Sequence, residues 1–67
     1  SNGITHLSSR EIEVLKLVAE GASTIEAADQ LHLSEYTVRD YISTIMQKMN
    51  AKNRTEAIVK AIRSGII

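Results

Sequence analysis

Apolar residues recur at helical spacing in four segments of this 67-residue chain, and helix-starting and helix-stopping residues separate them. Ser8-Ser9-Arg10-Glu11 has the form of a capping box, in which the Ser8 hydroxyl accepts from the Glu11 amide and the Glu11 carboxylate accepts from the Ser8 amide. Leu7 and Ile12 stand where a hydrophobic staple would sit. The pattern predicts a first helix over about 9–20, with Ile12, Leu15, Val18 and Ala19 inward and Glu13, Lys16 and Glu20 toward water. Gly21 is a natural stop, because glycine tolerates the left-handed turn after a helix. Ser23-Thr24-Ile25-Glu26 repeats the capping box and predicts a short helix over about 24–31, whose Ala27, Ala28 and Leu31 permit close approach by a neighbour. Ser34 caps a third helix over about 35–49, with an inward stripe of Val38, Ile42, Ile45 and Met49 and a stop at Asn50. Asn53-Arg54-Thr55-Glu56 opens a fourth over about 54–64, with Ala57, Ile58, Ala61 and Ile62 inward. Gly65 ends that helix, and Ile66-Ile67 can fold back as an apolar plug. The expectation is an all-α, compact four-helix bundle.

Composition narrows the function classes. Sixty-seven residues make one small domain. The absence of cysteine excludes a disulfide and a thiolate zinc site, and His6 and His32 are isolated, so no metal or cofactor is expected. No run approaches a membrane span and no signal peptide is recognisable, which fits a cytoplasmic protein. The only methionines are Met46 and Met49, so the chain lacks an initiator. Residues 1–6 read as a disordered or tag-derived leader and residues 7–67 as the domain.

The net charge of zero hides a split. Residues 1–35 hold two cations against six carboxylates, which gives −4, and residues 36–67 hold six against two, which gives +4. A neutral average can therefore conceal a basic surface able to meet a polyanion.

The second helix, a short turn and the third helix have the form of a helix-turn-helix, whose second helix enters the DNA major groove. With Val38 at zero and ~100° per residue, Tyr36, Asp40, Ser43 and Gln47 fall at roughly 160°, 200°, 140° and 180°, opposite the core. Arg39 and Thr44 flank them. This face is polar and lacks the Glu/Lys pairs of a merely solvated one. Arg39 can bond guanine O6 and N7 together, or a phosphate. Asp40 can accept from a cytosine amino group, orient Arg39 or a water, or repel DNA of the wrong sequence. Ser43 and Gln47 can reach base edges or backbone. Tyr36 can bond a phosphate or cover the helix entrance. Ser34 and Thr37 are caps first, although the helix terminus they cap also suits a phosphate. Lys48, Lys52 and Arg54 lie near the junction of the third and fourth helices, within reach of DNA backbone.

In their order along the chain, these residues resemble the LuxR-type helix-turn-helix of quorum-sensing regulators and NarL/FixJ-class response regulators. Leu7-Ser8-Ser9-Arg10-Glu11-Ile12-Glu13-Val14-Leu15 is similar to that family's opening, and Val18-Ala19-Glu20-Gly21 follows in register. Ser23, Glu26, Ala28 and Leu31, then Leu33-Ser34-Glu35, Thr37-Val38-Arg39 and Lys52-Asn53-Arg54-Thr55-Glu56-Ala57 continue the match. The resemblance implies sequence-specific binding of double-stranded DNA by the output domain of a bacterial transcription regulator. It assigns base contacts to Arg39, Asp40 and Ser43. It also implies a homodimer on DNA through the fourth helix, with Val59, Lys60, Ile62 and Arg63 available for that contact. An N-terminal regulatory domain, a receiver in the response-regulator branch, would control the domain. Ile25 stands where the family often has lysine, and Ala27 replaces a commonly larger core residue.

Three other classes fit these residues less well. An enzyme is disfavoured, since no phosphate loop, nucleophile elbow or paired-carboxylate cleft is evident. The alternative reading is a helical protein–protein interaction module without DNA binding, which would call for a broad exposed apolar stripe. RNA binding lacks the aromatic stacking platforms of single-strand readers.

Overall fold

The computed structural model describes residues 6–67. Among them are four helices, α1 (Ser9–Ala19), α2 (Thr24–Leu31), α3 (Glu35–Met49) and α4 (Arg54–Arg63). The third helix lies at the centre of the fold and packs against each of the other three. The order and starts are those expected, and the first and fourth helices each stop one residue early, with Glu20 and Ser64 serving as C-caps. Residues 1–5 of the expected leader lie outside the described residues.

Local chemistry accounts for every helix start. Both expected capping boxes form: Ser8 Oγ accepts from the Glu11 amide at 3.1 Å while Glu11 Oε1 accepts from the Ser8 amide at 2.8 Å. Ser23 and Glu26 repeat the arrangement. Ser34 Oγ accepts from the Thr37 amide at 3.0 Å and donates to Thr37 Oγ1 at 2.8 Å. At α4, Asn53 Oδ1 accepts from the Glu56 amide, and the Glu56 carboxylate reaches one residue beyond the cap to the Lys52 amide at 2.7 Å.

The helix ends share one device. After each helix, an amide bonds back to a carbonyl five residues earlier: Ala22 to Leu17, Leu33 to Ala28, Ala51 to Met46 and Ile66 to Ala61. This loop needs a residue at positive φ. Gly21 and Gly65 supply it at α1 and α4, as the sequence indicated, and Asn50 supplies it after α3. His32 takes the same left-handed conformation after α2, at φ 57°. A non-glycine residue there costs about 1–2 kcal/mol.

The core consists of Val14, Leu15, Ala27, Ala28, Val38, Ile45, Ala57 and Ala61. Four of these are alanines on α2 and α4, which brings both helices close to the larger side chains of α3. Ala27 is fully buried at this crossing. Two inward stripes need correction. On α1 the buried positions are Glu11, Val14 and Leu15, whereas Ile12 and Val18 are half-buried and Ala19 is exposed. The helix is therefore turned toward Val14, which is absent from the expected stripe of Ile12, Leu15, Val18 and Ala19. On α4, Ala57 and Ala61 face inward and Ile58 is half-buried, but Ile62 is 56% exposed. Ile66 and Ile67 pack on the core from beyond α4, as the expected plug.

Candidate nucleic-acid interface

The capped start of α3 and its buried Val38 and Ile45 fix which side of the helix meets solvent. Tyr36 is 82% exposed, and Arg39, Asp40, Ser43 and Gln47 are also exposed, with Thr44 half-buried at the margin. Helical phase thus gathers on one face the polar side chains expected there. Toward the C-terminal half they border an open groove formed with Met46, Asn50 and Ala51.

The cations are less uniformly available than their positions in the chain suggest. Arg39 pairs through Nη2 with Glu35 Oε2, one turn earlier on the same helix, yet its side chain stays 67% exposed. Lys48 turns toward α1, where its Nζ lies 2.9 Å from Glu11 Oε1 and donates to the His6 carbonyl at 3.3 Å. Lys60 also turns inward. Its ammonium donates to the carbonyls of Met49 and Asn50, capping the end of α3, and lies 3.6 Å from Glu56 Oε2. Lys52 and Arg54 are exposed at the start of α4, with no salt-bridge partner among the described residues. Val59 and Ile62 are exposed on the outer side of α4, and Arg63 beside them is exposed too.

Two carboxyl groups carry perturbed acidity. Burial raises the Glu11 pKa, but the Ser8 amide, the Lys48 ammonium and the Ser8 hydroxyl more than offset this and hold it below the usual value. Glu56 is also lowered, first by the Lys52 amide and then by the Lys60 and Lys52 charges. Both shifts arise from contacts that hold helices in place. Among the described residues, no group of three His, Cys, Asp or Glu side chains is arranged to hold a metal, and no helix is long and apolar enough to cross a membrane.

Sequence reasoning missed three contacts of the site. The Glu35–Arg39 pair had a legible signal, a carboxylate four residues before a cation on one helix. The Lys48–Glu11 pair, 37 residues apart, had none. Neither had the turn of Lys60 onto the end of α3.

Comparison with known proteins agrees with this arrangement. Residues 5–61 match the family described as "Bacterial regulatory proteins, luxR family". The transcriptional regulatory protein DesR of Bacillus subtilis (strain 168) is 49% identical over 59 residues, which is 88% of this chain and 30% of DesR. The chain thus spans less than a third of that relative. The solved structure of the transcription factor GerE superposes with a TM-score of 0.85 at 39% identity, covering 88% of each chain. The crystal structure of the response regulator ChrA of a heme-sensing two-component system superposes with a TM-score of 0.89 at 38% identity, covering 94% of this chain and 31% of ChrA. With its four helices, its helix-turn-helix and the family match over nearly all of its length, the chain belongs to the luxR family of bacterial regulatory proteins and carries that family's DNA-binding domain.

Proposed function

We propose that this domain binds duplex DNA sequence-specifically as the output part of a two-component response regulator, with α3 in the major groove. The observation that carries this reading is the outward face of α3, where Arg39, Asp40 and Ser43 stand exposed on a helix braced by the other three. Arg39 offers two parallel donors to guanine, Asp40 an acceptor to cytosine or a brake on other sequences, and Ser43 a short hydroxyl to a base edge. Tyr36, Thr44, Gln47, Lys52 and Arg54 border this face and would contact the backbone, as would the start of α3 around Ser34 and Thr37. Lys48 contributes less, because its ammonium is shared with Glu11.

The exposed pair Val59 and Ile62 supports a second copy docking along α4, with Arg63 at its edge. Lys60 would act there indirectly, by holding α4 to the end of α3. A two-fold dimer would set two recognition helices about one DNA turn apart. The greater lengths of DesR and ChrA support an additional regulatory domain, which we read as an N-terminal receiver. A DNA target in a bacterium places the protein in the cytoplasm, and the domain acts by binding rather than catalysis.

Amide chemical-shift mapping during addition of duplex DNA tests the docking face. The largest changes are expected between Tyr36 and Gln47 and near Lys52 and Arg54. Changes confined to α1 and α2 would refute it.

A further inference from the structure

Among the charged groups of α3, Arg39 stands apart. The helix carries two cations, Arg39 and Lys48, and Lys48 is turned to Glu11, which leaves Arg39 as the cation presented on the outward face. Arg39 is not a free arm, because Glu35 holds its Nη2 from one turn below. A guanidinium is a flat fork with five N–H groups. With one Nη2 hydrogen taken by Glu35, the second Nη2 hydrogen, both Nη1 hydrogens and the Nε hydrogen remain for another partner. Glu35 is half-buried whereas Arg39 is mostly exposed, so the carboxylate is the less solvated member of the pair.

We propose that Glu35 is a positioning residue for Arg39 that trades general DNA affinity for base selectivity. This inference rests on the reading of α3 as the base-contacting helix. A long arginine side chain loses much rotamer freedom when it is fixed against a base. Glu35 fixes part of it in advance, and a bidentate contact to guanine O6 and N7 can then form with less ordering. The same carboxylate opposes phosphate, both by repulsion and by competing for the guanidinium. Correct and incorrect DNA are therefore affected unequally, which is how selectivity arises. Asp40, next in the chain, adds a further negative charge to this part of the face, so that Arg39 lies between two carboxylate-bearing residues.

The test is selection from a randomised duplex pool by the wild-type chain, Glu35→Ala, Arg39→Lys and the double variant, together with the affinity of each for unselected duplex. Glu35→Gln is the second variant should Glu35→Ala lose helix content. Wild type should show a preference at one base pair that Arg39→Lys weakens. Glu35→Ala should reduce that preference by about threefold, the size expected of an exposed ion pair, and should bind unselected duplex more tightly. In the Arg39→Lys background, removing Glu35 should leave the base preference where it was. An equal rise in affinity for all sequences, in both backgrounds, would overturn the proposal and leave Glu35 as a repulsive charge only. Selection of no motif by wild type, even with two copies of the domain covalently linked, would instead overturn the base-reading assignment, and the positioning role with it. The wild-type result separates the two failures.

Discussion

Lys48 on α3 reaches across to α1, where its ammonium lies 2.9 Å from a Glu11 carboxylate that is also the N-terminal cap partner of α1. One buried carboxylate thus ties the start of α1 to the last turn of the central helix. Glu11 is the only buried charged residue among those described, and every bond it makes is internal.

Removal of Lys48 should therefore cost stability. Lys48→Met keeps the length and apolar stem but leaves Glu11 with the Ser8 amide and hydroxyl only, and no opposite charge. A loss of about 2 kcal/mol is expected, the usual worth of a hydrogen bond to a charged group, and urea unfolding followed by far-ultraviolet circular dichroism measures it. An unchanged midpoint would mean that the pair contributes nothing.

The same contact sets an acid response. Because the Glu11 pKa is lowered in the folded state, its stabilisation is present above the ordinary carboxylate pKa and is lost as pH falls through the lowered value. In Lys48→Met the Glu11 pKa rises, and acid unfolding should begin at higher pH than in wild type. Ellipticity titrated from neutral to strongly acidic pH gives the comparison, and coincident curves would remove Lys48 as the cause.

Core truncation should be far more damaging than its single-residue scale suggests. Ile45 is 1% exposed at the centre of the helix that every other helix contacts. Ile45→Ala is expected to cost about 2–5 kcal/mol, against a total of about 3–5 kcal/mol for a domain this small. The variant should keep only a small part of its stability and melt well below wild type. A cooperative thermal transition near that of wild type would contradict this packing account.

Most of the fold was legible in the sequence because its determinants are local. Ser8, Ser23, Ser34 and Asn53 announce helix starts within four residues, and Gly21, Asn50 and Gly65 announce stops. The rotation of α1 and the exposure of Ile62 were not legible, because they depend on how the helices pack against one another. The outward face of α3 followed from helical phase alone. The fate of its cations did not, since the partners of Lys48 and Lys60 lie on other segments of the chain.

At the proposed interface, Arg39→Ala should cost about 1–3 kcal/mol of DNA binding and relax preference at one base pair. Its exposure means that the fold should survive, so a binding loss is attributable to the contact. Titration against a selected duplex and the same duplex with one base pair changed gives both quantities. Equal affinities before and after substitution would remove Arg39 from the reading face.

Val59 is 37% exposed on α4, so Val59→Asp should leave the monomer folded while weakening a second copy's association on DNA. Sedimentation on a duplex with two half-sites should then shift from a two-chain to a one-chain complex. An unchanged profile would exclude this face of α4 from the dimer.

The most direct test of the central claim is selection of a randomised duplex pool by the wild-type chain, with affinity for the winners followed against salt. The account predicts enrichment of a paired motif with half-sites about one helical turn apart, and affinity that falls as salt rises. A pool that emerges unenriched, even when two copies of the domain are covalently linked, would contradict it.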